Sequence, residues 1–291
     1  MNENKKPSWI KVKALSEESY NKITSISHKY NLYTICQEAL CPNINECWSA
    51  KTATFLLMGE ICTRNCLFCS VKTGNPKGYL DNNEPYNIAK AVKDLDLKYV
   101  VLTSVDRDDL EDGGSQHFAK TISEIKKING KALVEVLIPD FKGNIEPLKN
   151  IIQAKPDVIG HNLETVKKLT PMVRDKRASY ELSMRILKSI KDISNNILTK
   201  SSLQVGLGET ELEIKQALRD LKEHKVDIVT IGQYLRPTEK QIPVQDYINP
   251  EIFEEYEIYA KNLDFLYVIS GPLVRSSYKA AESFMLSMMK N

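Results

Sequence analysis

The sequence predicts an α/β fold, a partial (β/α)6 TIM-type barrel with N- and C-terminal extensions. Two observations predict it. Short apolar runs alternate with amphipathic helical stretches about six times before residue 240. All six cysteines fall between Cys36 and Cys69, at the head of that repeat. A complete barrel needs eight units, so a partial one is expected. A doubly wound sheet has the same periodicity and stays open as the alternative.

The expected organisation is an N-terminal extension over residues 1–50, a barrel over 51–240 and a C-terminal extension over 241–291. Pro7-Ser8-Trp9-Ile10 reads as an extended arm, and residues 16–30 as a helix. Residues 52–58 (TATFLLM) are apolar and β-rich, and read as the first buried strand. Further strands are expected at 99–103, 133–138, 158–161, 203–207 and 228–231. Each is short and apolar, as parallel strands covered on both faces are. Between them, Phe118, Ile122 and Ile125 share one helical face, as do Ile186, Leu187, Ile190 and Ile193. Thr210 with Glu213 forms a capping box ahead of Ile214, Ala217, Leu218 and Leu221. After Pro237 the pattern changes. Residues 251–263 read as a helix with Phe253, Tyr256 and Ala260 inward, and 266–269 as one more strand.

Composition narrows the function. With 42% apolar and 27% charged residues the chain has the balance of a globular domain, and a formal charge of +2 gives no support to polyanion binding. No apolar run approaches the roughly 18 residues of a membrane span. Residues 1–7 are polar and lack the apolar core of a signal peptide, so a cytoplasmic protein is expected, with neither nucleic acid nor membrane as partner.

Clustered cysteines in a chain this large, with none in residues 70–291, argue against a disulfide framework. Cys62-Thr-Arg-Asn-Cys66-Leu-Phe-Cys69 is a C-x3-C-x2-C run that directly follows the first strand, at the C-terminal mouth of a barrel, where reactive groups of this fold collect. A structural zinc site takes four protein ligands, and only three are local here. Three thiolates on a four-iron cubane leave one iron open to a chelating cofactor. The spacing is the signature of the radical S-adenosylmethionine enzymes. Upstream, Cys36-Gln-Glu-Ala-Leu-Cys41-Pro-Asn-Ile-Asn-Glu-Cys47 gives C-x4-C-x5-C, a second set of three.

The pair of cysteine runs resembles the lipoyl synthases. So do Cys41-Pro-Asn-Ile, Glu46-Cys47-Trp48, Thr103-Ser104-Val105, Arg107-Asp108-Asp109 and Asp112-Gly113-Gly114. The match continues through His161-Asn162-Leu163-Glu164-Thr165, Val205-Gly206-Leu207-Gly208-Glu209-Thr210, Gly232-Gln233-Tyr234-Leu235-Arg236-Pro237 and Gly271-Pro272-Leu273-Val274-Arg275-Ser276-Ser277-Tyr278. It extends over residues 7–278.

That resemblance implies two 4Fe-4S clusters and S-adenosylmethionine. Cys62, Cys66 and Cys69 would hold the cluster that cleaves the cofactor to a 5′-deoxyadenosyl radical. Cys36, Cys41 and Cys47 would hold an auxiliary cluster whose sulfides enter the product. The fourth ligand of that auxiliary cluster is a serine of the Arg-Ser-Ser-Tyr motif, assigned to Ser277 as metal ligand and catalytic group, with Ser276 as second choice. A hydroxyl oxygen is a hard ligand for iron and leaves readily. The residues alone would also suit a helix N-cap at Ser276-Ser277, before residues 278–288. The implied substrate is an octanoyl-lysine on a lipoyl carrier protein, such as a lipoyl domain of a 2-oxoacid dehydrogenase complex or the glycine cleavage H protein. A ferredoxin or flavodoxin would supply electrons.

Asn162, Glu164 and Arg174 are the implied contacts to S-adenosylmethionine; a helix start would use Asn162 and Glu164 equally well, and a surface position would suit Arg174. His161 reads as a hydrogen-bonded residue of the mouth. Ser202 and Gln204 depart from the family pattern, which favours a glycine and an apolar residue there. Rival functions are another sulfur-inserting radical enzyme, or an electron carrier or iron sensor that merely holds two clusters. The length of chain spent on a barrel disfavours the carrier.

Overall fold

The computed structural model describes residues 6–11, 17–49 and 52–278. Residues 6–11 form a turn in place of the expected extended arm, because Ile10 N donates to Pro7 O at 3.1 Å. Three helices and a short strand then precede the barrel: α1 (Glu17–Tyr30), β1 (Tyr33–Thr34), α2 (Ile35–Glu38) and α3 (Ile44–Ser49). The barrel follows as β2 (Thr52–Leu57), β3 (Ile61–Cys62), β4 (Lys72–Thr73), α4 (Glu84–Asp94), β5 (Tyr99–Ser104), α5 (Ser115–Ile128), β6 (Leu133–Leu137), α6 (Glu146–Gln153), β7 (Val158–Gly160), α7 (Thr170–Val173), α8 (Tyr180–Ile193), β8 (Leu198–Val205), α9 (Glu211–Glu223) and β9 (Ile228–Gln233). Last come α10 (Pro250–Lys261) and β10 (Tyr267–Gly271).

The main sheet runs β1-β2-β5-β6-β7-β8-β9-β10. Its strands are parallel except β1, which pairs antiparallel with β2. Sequential order without reversal is the winding of a barrel, whereas a doubly wound sheet switches direction part-way. Among the described residues no ladder joins the two ends of the sheet, so the barrel is partial. Six strands follow from the repeat; β1 and β10 come from the two extensions and widen it.

Amphipathic helices cover the outer face. Phe118, Ile122, Ile125, Ile214 and Leu218 are fully buried, and the Thr210–Glu213 capping box is present. Phe253, Tyr256 and Ala260 are buried as expected. Ile193 is not: the helix ends there and leaves it exposed. Core residues of the N-terminal extension, including Ile23, Leu32 and Trp48, belong to one continuous core with β2, α4 and α5.

The largest difference from the sequence expectation is β8. It begins at Leu198, five residues before the apolar run that marked it. Its first half carries Lys200, whose ammonium lies 2.8 Å from Glu135 on β6 with both side chains nearly inaccessible. The Tyr99 hydroxyl donates to the same carboxylate. Polar residues are tolerated in this strand because they pair across the barrel interior.

Candidate active site at the barrel mouth

A cavity of 330 Å³ opens at the C-terminal ends of the strands. Cys62, Cys66 and Cys69 line it together with Asn162, Glu164 and Arg174. The cysteine loop leaves β2 through Met58-Gly59, and the sequence fixes that exit from both sides. Met58 N donates to Glu84 at 2.9 Å, and its carbonyl accepts from buried Arg107 at 3.3 Å. Two carboxylate bonds from Asp109, each 2.8 Å, orient Arg107. The Gly113-Gly114 pair serves the same exit. Gly114 takes φ +85° at the start of α5, and a Cβ there would sit 2.1 Å from Met58 Sδ.

Arg64, inside the cysteine loop, is buried against three carboxylates. It makes two 2.6 Å bonds to Asp140, bonds of 3.0 and 3.1 Å to Asp108, and a 3.3 Å contact to Asp106. These aspartates follow β5 and β6, so the guanidinium rivets the loop to two strand ends. Around it, Thr63 N donates to Asp106 O, Asn65 N to Asp175, and Leu67 N to Val173 O, each at 2.9 Å. Arg177 clamps Asp175 with bonds of 2.7 and 2.9 Å and holds its carboxyl well below the usual carboxylate range.

The three thiols sit in an environment that suits thiolate ligands. Arg64 N and Asp106 N point at Cys62 Sγ at 3.4 and 3.3 Å, and Asp175 N at Cys66 Sγ at 3.3 Å. Burial nonetheless pushes Cys62 and Cys66 up to about 11 and Cys69 up to about 12. The backbone N–H groups offset part of that cost, and a cation bound among the thiols would offset more. On the cavity wall, Arg174 Nε and Ser104 Oγ are buried without a hydrogen-bond partner, and Arg174 Nη1 donates to Ser183 at 2.7 Å. Orphaned polar groups on a cavity wall fit a polar cofactor. His161 is buried between Ile138 O and Ser183 Oγ, each at 2.9 Å, and burial lowers it to about 4.

The second cysteine set lies beside this cavity. Cys36 is on α2, Cys41 in the following turn and Cys47 on α3; none is in a disulfide. Burial pushes Cys36 up to about 11, and the nearby Cys41 adds to the push. Ser70 Oγ, next to Cys69, donates to Glu38 O at 2.8 Å, two residues after Cys36. The C-terminal segment closes over both. Asn43 Nδ2 donates to Leu273 O at 2.5 Å, Arg275 lies near Cys41, and the Tyr278 hydroxyl reaches Glu46 at 3.1 Å. Ser276 lines the cavity, while Ser277 is half-buried in the same turn.

Comparison with known proteins places this arrangement. The radical SAM superfamily model matches residues 56–232. Lipoyl synthase of Caldicellulosiruptor saccharolyticus is 52% identical over 283 residues, 97% of this chain and 99% of that one. The chain belongs to the lipoyl synthase family. Lipoyl synthase of Myxococcus xanthus is 50% identical over 286 residues, 98% of this chain and 96% of that protein. At fold level alone, the FeFe-hydrogenase maturase HydG from Carboxydothermus hydrogenoformans is similar, with a TM-score of 0.58 at 12% identity over 94% of this chain and 78% of that one. So is methylornithine synthase, with 0.56 at 12% over 96% and 90%.

This member of the lipoyl synthase family is thus a radical SAM sulfurtransferase, in the class that works with a 4Fe-4S cluster and S-adenosylmethionine. Of the alternatives open at the level of residues, the helix start at Asn162 is not what forms. Residues 161–169 contain no helix, and Glu164 bridges to Leu203 on β8. Arg174 faces the cavity. The helix expected over 278–288 lies beyond the described residues from position 279 onward. The buried carboxylates around Arg64 and the Asp175–Arg177 clamp went unpredicted. Arg64 lay inside a motif already read for its cysteines, and its partners come from the two loops that follow β5 and β6.

Proposed function

We propose that this chain inserts two sulfur atoms, at carbons 6 and 8, into an octanoyl group amide-linked to a lysine of a lipoyl carrier protein. The sulfur would come from an auxiliary 4Fe-4S cluster held by Cys36, Cys41, Cys47 and Ser277. The observation behind this is the Ser70–Glu38 hydrogen bond of 2.8 Å, which sets the two cysteine segments edge to edge. One substrate chain held between them would then lie within reach of the groups that both sets would hold. When bound, the clusters and S-adenosylmethionine supply the radical and the sulfur atoms.

The chain's own residues bind, orient and seal. Cys62, Cys66 and Cys69 are the ligands of the first cluster. Arg174, Asn162 and Glu164 would take the carboxylate, ribose and amino groups of S-adenosylmethionine. Neutral His161 keeps Ser183 and the Ile138 carbonyl in place. The 273–278 segment covers the mouth and keeps water from the radical. The carrier partners are lipoyl domains of 2-oxoacid dehydrogenase complexes and the glycine cleavage H protein, with ferredoxin or flavodoxin as reductant. Among the described residues no helix is long and apolar enough to cross a membrane, and cytoplasmic residence is part of the proposal.

Mass spectrometry of an octanoylated carrier peptide, after anaerobic incubation with reconstituted protein, reductant and S-adenosylmethionine, tests the whole. Two added sulfur atoms with two equivalents of 5′-deoxyadenosine are expected. The Cys36, Cys41 and Cys47 to Ala variant should still release 5′-deoxyadenosine and yield no thiolated peptide. Normal product from that variant would remove the sulfur-donor assignment. The absence of 5′-deoxyadenosine from the unmodified protein would favour the electron-carrier alternative.

A further inference from the structure

Glu164 stands in the left-handed region of backbone space, at φ +71°. A side chain that is not glycine stays there only when its surroundings over-determine it. The surroundings are β8. Glu164 N donates to Ser202 O at 3.0 Å, and Gln204 N donates to Glu164 O at 2.8 Å. The carboxylate is held from two sides as well. Gln204 Nε2 donates to Oε2 at 2.7 Å, and Asn162 Nδ2 to Oε1 at 3.0 Å. A carboxylate has only acceptors to offer, so both amides must turn their nitrogens toward it. Glu164 lines the same cavity as Cys66 and Cys69 of the first cysteine loop.

Gln204 lines the cavity from β8, and its side-chain amide bonds to Glu164. What the amide adds is a directed donor on Glu164. We propose that Gln204 is a positioning residue for S-adenosylmethionine, acting through Glu164: its amide locks one rotamer of the carboxylate and leaves the remaining lone pairs facing the cofactor. An unheld glutamate would have to be ordered by the cofactor itself, and the ordering would weaken binding. This inference rests on Glu164 being a cofactor contact, and the experiment separates the two.

The experiment is a double-mutant cycle on anaerobically reconstituted protein, with S-adenosylmethionine affinity measured by titration calorimetry. Gln204→Met keeps length and removes the donor; Glu164→Ala removes the carboxylate and keeps a Cβ at the same φ. Iron content and the unfolding midpoint should match the parent in both. Gln204→Met should weaken affinity about tenfold, the scale of one hydrogen bond to a charged group. It should raise KM for S-adenosylmethionine and leave kcat near the parent value. Added to Glu164→Ala it should cost nothing further. Unchanged affinity in Gln204→Met, while Glu164→Ala binds weakly, overturns the role of Gln204 alone. Additive losses overturn it too, since Gln204 would then act independently of Glu164. Full affinity in Glu164→Ala overturns the cofactor role of Glu164, and the inference with it.

Discussion

The Tyr278 hydroxyl donates to Glu46 Oε2 at 3.1 Å, joining the last residue of the Arg-Ser-Ser-Tyr segment to the residue before Cys47. With the Asn43–Leu273 bond of 2.5 Å it forms a latch between the C-terminal segment and the segment that carries Cys41 and Cys47. Tyr278→Phe removes one hydrogen bond to a carboxylate, about 1–2 kcal/mol of local closure. Timed chelation of reconstituted protein should then strip iron from the Cys36, Cys41 and Cys47 set several-fold faster than in the parent. The set on Cys62, Cys66 and Cys69 should be unaffected. Equal rates for both sets in the variant and the parent would show that the latch does not hold the auxiliary site.

Ser277 and Ser276 can be separated by single substitutions. Ser277→Ala should cut sulfur insertion sharply while 5′-deoxyadenosine is still formed. Ser277→Cys should keep the auxiliary iron but slow its breakdown, since thiolate is the softer ligand. Product should stall after one sulfur atom, as read by mass spectrometry. If Ser276→Ala rather than Ser277→Ala gives the loss, the ligand is Ser276, the serine that lines the cavity.

Arg64→Met leaves Asp106, Asp108 and Asp140 buried around a missing charge. Burial already pushes Asp106 up to about 6 against the pull of Arg64. Breaking a buried pair by removing one partner costs about 3–5 kcal/mol. Urea unfolding of the metal-free protein should show a loss of that size. Arg64→Lys should recover only part of it, because an ammonium cannot bridge Asp140 and Asp108 together. A loss below about 1 kcal/mol would mean that the carboxylates find water in its place.

His161 sets a pH dependence. Burial and then Arg174 depress it from 6.5 to about 4. Its neutral form therefore adds stability that is fully present above pH 6.5 and is lost as pH falls toward 4. About 3 kcal/mol is at stake, from 1.36 kcal/mol per pH unit. The stability of the metal-free protein should decline over that window, and His161→Gln should flatten the decline. An unchanged slope in the variant would show that His161 does not set the decline.

Much of this protein was legible in the chain itself. Apolar runs such as 52–58 and 228–231 mark buried parallel strands because their side chains have no other place to go. The cysteine spacings point to two proposed ligand sets, because short loops keep three thiols close together. What the sequence could not place are the partners that meet through the fold. β8 begins at Leu198 because Lys200 finds Glu135 across the barrel, 65 positions away in the chain. Arg64 is rigid because three aspartates from two other strand ends converge on it. Glu164 faces the cavity because β8 holds its backbone and Gln204 its carboxylate. Periodicity and spacing record what neighbours in sequence do, whereas charge pairing and side-chain clamps depend on distances between segments, which only the closed packing of the barrel determines.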